Sequence, residues 1–217
     1  MMQTLTASTE AAAWRRGLTG AIRAALMAAP GMLFAGAAIA GPFGFDLKSS
    51  VEPSRLYSFC EEFDDNFFNF YCTTAPKPHP DMEFYYVSFV QSVGVCAVQG
   101  IGKDINDTRW GYKTRDKTDI ISNQIRLKYG LWNKKFDDIY SRSALYDNPE
   151  DWMISVLEEE RFYGYEWIFL RPNNDIKEIH IFAEATSKDT GYVTVNFDTY
   201  LNDSCEKVIT RRGADVF

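Results

Sequence analysis

The fold is decided by the stretch from Phe162 to Leu201, which reads FYGYEWIFLRPNNDIKEIHIFAEATSKDTGYVTVNFDTYL. Apolar residues recur at every second position through it, a period that is typical of β-strands with one buried face. The pattern breaks at residues 172–175 and 188–191, where Pro, Asn, Asp and Gly favour turns. The stretch therefore predicts an antiparallel meander of three strands: 162–170, 176–185 and 192–201.

Helices and further strands precede this meander. Asn148 followed by Pro149 and two acidic residues is a helix start signal. Ile121, Ile125 and Tyr129 recur at helical spacing before Gly130, a residue that commonly ends helices. An earlier helix is predicted from Ser50 or Pro53 through Phe63, and strands are predicted at 67–74, 83–90 and 95–101.

A helix followed by three strands thus occurs twice, around residues 50–103 and 148–201. The predicted class is α+β, an antiparallel sheet with helices packed on one face. The order of elements also admits two tandem helix-plus-three-strand units, although the two segments share little residue identity.

The N-terminal forty residues have the plan of a signal peptide. Arg15, Arg16 and Arg23 precede an uncharged apolar run, residues 24–39, that ends in the small-x-small site Ala38-Ile39-Ala40. A permanent anchor is the alternative, but a spanning helix needs about 20 apolar residues and this run is shorter. We therefore expect cleavage after residue 40.

The mature protein is expected to be periplasmic or secreted. Residues 41–217 are predicted to form a single secreted α+β domain, which can be divided into halves 41–111 and 112–217. No other segment is long and apolar enough to suggest a membrane span, so no membrane association is expected after signal cleavage.

Cysteine usage points to the same compartment. Cys60, Cys72, Cys96 and Cys205 all follow the predicted leader, and an even number of cysteines in an exported protein favours disulfide bonds. Three connectivities are open. We favour Cys60 with Cys72, the closest pair in sequence, which leaves Cys96 with Cys205. A zinc site would need shorter spacings such as Cys-x-x-Cys.

Charge and motifs exclude several function classes. The formal net charge of -7 argues against a nucleic-acid binder, which needs a basic surface. Gly-x-Ser-x-Gly is absent, and Gly100-Ile101-Gly102-Lys103 lacks the remainder of a phosphate loop. The two histidines, His79 and His180, lack the sequence context of a metal site or a triad. We expect no catalytic residue, no bound metal and no cofactor.

The aromatic content of 15% is the unusual feature of the composition. Tyr163, Tyr165 and Trp167 share one face of their strand, because side chains two residues apart point the same way. If helices cover only one side of the sheet, these residues and Tyr85 form a candidate binding face. The alternative is that they are core residues.

Short segments resemble known families. The mature start, Gly41 to Leu47, and the order of elements resemble the β-lactamase-inhibitor-protein fold and, more distantly, the small outer-membrane-assembly lipoprotein domains. The segments 76–80, 128–130 and 149–153 resemble secreted proteobacterial proteins. The resemblance to the inhibitor fold implies binding through an open sheet face.

These observations favour a non-enzymatic periplasmic or secreted binding protein that contacts an unidentified protein partner through an aromatic sheet face, as an inhibitor or an immunity-like protein. The alternative is a carboxylate-dependent envelope hydrolase. Runs of acidic residues such as 158–160 supply carboxylates for it, but nothing in the sequence selects a facing pair.

Overall fold

The computed structural model describes residues 41–64, 69–139 and 145–214. The predicted signal peptide, residues 1–40, lies outside the described residues. Within the described ranges, no helix combines the length and the apolar character needed to span a bilayer.

One antiparallel sheet dominates the described part of the chain. Its nine strands are β1 (Cys60–Asp64), β2 (Asn69–Cys72), β3 (Met82–Val90), β4 (Gly94–Gly102), β5 (Ile105–Asn106), β6 (Lys134–Ile139), β7 (Arg161–Asn173), β8 (Ile176–Ser187) and β9 (Thr190–Thr199). The order across the sheet is β1-β2-β3-β4-β9-β8-β7-β6, and β5 pairs with β9 outside this path. The helices are α1 (Pro53–Leu56), α2 (Tyr112–Tyr129), α3 (Trp152–Leu157) and α4 (Asn202–Ala214).

The predicted α+β class is confirmed. The meander predicted from residue 162 onward is β7, β8 and β9, and the helix predicted to end before Gly130 is α2. The predicted halves, 41–111 and 112–217, contribute β1–β5 and β6–β9 to the same sheet.

The first predicted helix is much shorter than its apolar spacing indicated. Only α1 is α-helical, and the chain from Cys60 onward forms β1 instead. Cys60 and Cys72 are direct partners across the β1–β2 ladder, and a disulfide joins them. This hairpin requires an extended backbone at Cys60, which a longer helix would not provide.

The sequence also left three elements unpredicted: β6, α4 and the two-residue strand β5. β6 is an edge strand whose side chains are mostly exposed, so it lacks the alternation that identifies a strand. α4 is attached to β4 by the second disulfide, Cys96–Cys205. The expectation of two disulfides is confirmed, and the pairing is the favoured one.

The first face of the sheet carries the main core. α2 lies over β7 to β9, and Asp119 of α2 accepts hydrogen bonds from the hydroxyls of Tyr163 (2.7 Å) and Tyr165 (2.6 Å). The segment before α1 covers the other half, where Phe43 packs against Tyr85 with ring centroids 4.8 Å apart. Tyr163 and Tyr165 are therefore covered by a helix and Tyr85 by the N-terminal segment.

The prediction that Tyr163, Tyr165, Trp167 and Tyr85 form an exposed binding face is wrong. Tyr85, Tyr165 and Trp167 are buried in the main core, and Tyr163 is buried in a smaller cluster with Trp152. Their polar tips are satisfied internally: the Trp167 indole donates to the carbonyl oxygen of Gly130 (2.9 Å), and the Tyr85 hydroxyl accepts from the backbone N–H of His79 (2.9 Å). The three β7 residues do share one face, as predicted, but it is the face that α2 covers.

The second face of the sheet is different: of the described helices only α4 covers it, and only at one end. Val90 follows Phe89 and therefore points to the opposite side. Phe89 belongs to the main core, whereas Val90 packs with Cys96, Cys205 and Val208 of α4. Beyond this end, outward side chains of β3, β4, β8 and β9 are half-buried at alternate positions.

The start of α2 depends on the side chain of Asp107, five residues before the helix begins. Gly111 precedes the helix with a positive φ of 66°, and a Cβ there would lie 1.9 Å from the Trp152 ring. Asp107 instead accepts from the backbone N–H of Thr114 (2.7 Å). Partial burial opposes ionisation of Asp107, but hydrogen bonds from Thr108 and Thr114 outweigh it and lower the pKa of this carboxyl.

Trp167→Ala should destabilise the protein strongly. Trp167 is 0% exposed, and truncating such a residue removes buried apolar area and leaves a cavity, a loss of about 3–5 kcal/mol in the free energy of unfolding. Urea unfolding followed by far-UV circular dichroism measures it. Leu170→Ala, at an exposed position of the same strand, is the control and should change stability by less than about 0.5 kcal/mol. Equal stability of both variants would contradict the burial of Trp167.

Asp107→Ala should lower stability in a pH-dependent way. Loss of a capping side chain costs about 1 kcal/mol at pH 7. Because the folded-state pKa is lowered, the contribution of the carboxylate charge is present above the unfolded pKa of about 3.9 and is lost as the pH falls through the folded value. Urea unfolding over a series of pH values from 7 to 2 should show the difference from wild type shrink at the acidic end. Asp104→Ala, in the same loop and exposed, should match wild type across the series.

Candidate functional site

The second face of the sheet, hereafter the open face, is organised in rows of side chains that cross the strands. Residues that are direct partners in neighbouring antiparallel strands project on the same side. One row crosses eight strands without interruption: Lys134, Glu166, His180, Asn196, Gln99, Tyr86, Tyr71 and Glu61. The two flanking rows are Ile168, Glu178, Asp198, Ala97, Ser88 and Asn69, and Phe136, Gly164, Phe182, Thr194, Ile101 and Phe84.

An aromatic cluster occupies the β1–β3 side of the open face. Its members are Phe63, Tyr71, Phe84 and Tyr86. Ring centroids lie 5.3 Å apart for Tyr71 and Phe84 and 5.6 Å apart for Phe63 and Tyr86, within the range of favourable aromatic pairs. Phe63 is 65% exposed and the other three are half-buried, so this cluster presents aromatic surface to solvent.

A second aromatic cluster lies on the β6–β8 side. Phe182 packs against Phe136 at 5.7 Å and Phe162 at 6.3 Å between ring centroids. The imidazole of His180 stacks nearly parallel to Phe182, with an interplanar angle of 14°. This contact orients the His180 ring within the face.

Between the two aromatic clusters lies a polar group centred on His180. Its Nδ1 is 3.8 Å from Glu166 Oε2, and its Nε2 is 3.4 Å from Glu178 Oε2 and 3.9 Å from Asp198 Oδ2. Partial burial raises the pKa of Asp198, against the opposite effects of the Asn196 hydrogen bond and His180. One histidine and three carboxylates thus meet at the centre of the sheet.

A shallow groove connects the first aromatic cluster to this polar group. Its volume is about 310 Å³, and it is lined by Phe63, Asn69, Tyr86, Ser88, Ala97, Gln99 and Asn196. Its floor is polar: the Ser88 hydroxyl donates to Asn69 Oδ1 (2.6 Å), and Asn196 donates to Asp198 Oδ1 (3.0 Å). The groove therefore combines an aromatic wall with amide and hydroxyl groups.

The residues predicted for the site and the residues found there lie on opposite faces of the same strands. Tyr85 is buried, whereas its neighbour Tyr86 lies on the open face, and Trp167 is buried beside the outward Glu166. His180 projects away from Ile179 and Ile181, as the alternation predicted. The signal that could have identified the polar group is the pair Glu178-x-His180 together with Asn196-x-Asp198, but only the strand register brings the two pairs together.

Comparison of the chain with protein-family models, with curated proteins and with solved structures found no match.

Proposed function

We propose that this chain is a non-enzymatic binding protein of an oxidising, extracytoplasmic compartment, and that its open face binds a protein partner. The observation that carries the proposal is the aromatic cluster of Phe63, Tyr71, Phe84 and Tyr86 beside a polar groove. Tyrosine and other aromatic side chains offer large, rigid contact area and dominate the energetics of protein interfaces.

Charge indicates the chemistry of the partner. Carboxylates outnumber ammonium groups among the described residues of the open face. Glu61, Glu166, Glu178, Glu184 and Asp198 lie on its strands, against Lys134 and against Lys177, whose Nζ is 3.3 Å from Glu178 Oε1. An interface of this kind favours a partner with exposed basic residues, which are attracted by the carboxylates and can pack over the aromatic rings. We therefore propose a basic protein surface as the occupant.

The compartment is supported by the two disulfides, which are typical of proteins in oxidising environments. Placement in the periplasm or in the medium follows from the predicted signal peptide, residues 1–40, and stays a prediction. The resemblance to the β-lactamase-inhibitor-protein fold, and with it an inhibitor or immunity-like role, also stays a prediction.

The alternative of a carboxylate-dependent hydrolase has less support. Such an enzyme needs two carboxyl groups that face each other across a bound substrate. Glu166 and Glu178 flank opposite ring nitrogens of His180, so the imidazole occupies the space between them. The described open face therefore favours binding over hydrolysis at this position.

Tyr86→Ala and Glu166→Lys test the proposed interface. The immobilised protein is incubated with extract from the cells that produce it, in the presence of a chelator, and bound proteins are quantified by mass spectrometry. Truncation of a central aromatic residue should weaken capture of a genuine partner by tenfold or more, consistent with a loss of about 2 kcal/mol. Glu166→Lys, which reverses the charge, should also weaken capture, and its effect should be larger at low salt than at high salt.

Tyr112→Ala is the matched control, because Tyr112 is an exposed tyrosine of α2 and lies away from the open face. It should leave capture unchanged. A captured protein that binds wild type, Tyr86→Ala and Tyr112→Ala equally is not a partner of the open face. If every captured protein behaves in that way, the proposal is wrong.

A further inference from the structure

We propose that Glu178, His180 and Asp198 form a binding site for a divalent transition-metal ion of the zinc class at the centre of the open face. The three residues offer one imidazole nitrogen and two carboxylate oxygens, all within 4.8 Å of one another. This inference is independent of the proposed protein partner, because it concerns only the donor atoms of this chain.

The donor spacing fits a small tetrahedral ion. Zinc binds histidine nitrogen and carboxylate oxygen at about 2.0–2.2 Å, so two ligands of a tetrahedral site lie about 3.3–3.6 Å apart. His180 Nε2 is 3.4 Å from Glu178 Oε2 and 3.9 Å from Asp198 Oδ2. Both distances to Nε2 are within a few tenths of an ångström of this range, and all three ligand atoms lie within 4.8 Å of one another, so a small inward movement of the carboxylates would complete the three-ligand set. The fourth position is then available to water or to a donor from another molecule.

Each carboxylate is held by one oxygen and presents the other to His180. Asn196 donates to Asp198 Oδ1 (3.0 Å), while Oδ2 faces His180 Nε2. Lys177 Nζ lies 3.3 Å from Glu178 Oε1, while Oε2 faces the same nitrogen. Partners that orient ligands in this way are typical of metal sites. Glu178 Oε2 and Asp198 Oδ2 are therefore both directed at His180 Nε2, and each carboxylate is held there by a different neighbour.

The remaining nitrogen of His180 has an outer partner as well. Glu166 Oε2 lies 3.8 Å from Nδ1, on the side of the ring opposite to Nε2. In metal sites a carboxylate at the non-ligating nitrogen accepts its proton while the other nitrogen binds the metal, and Glu166 is placed for that role. In this structure Nε2 makes a hydrogen bond with Glu178 Oε2 at 3.4 Å, which is longer than the ordinary range of about 2.7–3.2 Å, and a bound ion would replace this contact.

The strands hold the ligands in a rigid frame. Glu178 and Asp198 are direct partners between β8 and β9, and His180 pairs with Asn196 one row away. Sites built on paired strands are positioned better than sites on loops. The side chains are 16–27% exposed, so an ion can reach them from solvent.

The donor set selects the metal class. Magnesium and calcium prefer sites made of oxygen atoms alone, whereas an imidazole nitrogen with carboxylates suits zinc and its neighbours in the first transition series. All four cysteines are in disulfides, so thiolates do not compete. The other histidine, His79, lies beside α2, with Nε2 2.9 Å from Gln124 Oε1, and provides an internal control.

Calorimetric titration of the untagged, disulfide-bonded protein with zinc chloride tests this site. Wild type should bind one zinc ion saturably, and magnesium or calcium chloride should bind at least tenfold more weakly. His180→Ala should weaken zinc binding by tenfold or more, and Glu178→Gln and Asp198→Asn should each weaken it substantially. His79→Ala should bind zinc as wild type does. Far-UV circular dichroism establishes that each variant is folded.

A second measurement does not rely on the variants. Long-range nitrogen–proton NMR spectra of the two histidines should show zinc perturbing Nε2 of His180 and leaving His79 unchanged. The inference is wrong if wild type shows no saturable zinc binding, or if folded His180→Ala binds zinc as tightly as wild type. It is also wrong if the perturbed ring is that of His79. None of these results depends on whether a protein partner exists.

Discussion

The antiparallel pairing of β4 with β9 is the constraint on which the rest of the structure depends. It joins the N-terminal hairpins to the C-terminal meander through partners from Ala97 with Asp198 to Ile101 with Thr194. A slip of one residue would turn the outward polar groups of β9 into the core. The Cys96–Cys205 disulfide and a hydrogen bond from the Thr199 hydroxyl to the carbonyl oxygen of Val95 (2.7 Å) secure the end of this pair. The rows of the open face exist only in this register.

The two faces of the sheet differ in whether their tyrosine hydroxyls are buried with a hydrogen-bond partner from the protein. A buried tyrosine needs a hydrogen-bond partner, and Asp119 supplies one oxygen to both Tyr163 and Tyr165. Burial and contact with this carboxylate raise the pKa of both hydroxyls, which therefore remain protonated donors. Because Asp119 belongs to α2, the face of β7 that carries Tyr163, Tyr165 and Trp167 lies in the core. Aromatic residues at the alternate positions, such as Phe162, lie on the open face.

The fold could be predicted from sequence where periodicity was strong, and the site could not. Alternation in β7, β8 and β9 predicted the meander and the residues that share a face, but α2 decides which face is covered, and Asp119 is 44 residues from Tyr163. β6 has a charged sequence without alternation, and α4 depends on a disulfide that spans 109 residues. The group around His180 combines residues of three strands, and its assembly follows from register, which a single sequence does not display.

The two edges of the sheet are less suited than the open face to the proposed binding of a partner. An edge strand offers unpaired backbone groups, and charged side chains along it disfavour the addition of another strand. β6 carries Lys134, Lys135, Asp137 and Asp138, and β1, at the opposite edge, carries Glu61 and Glu62. Both edges are thus charged, whereas the area between them presents aromatic rings, amides and the His180 group. The open face, and not the edges, therefore offers the apolar contact area and the carboxylates that the proposed basic partner requires.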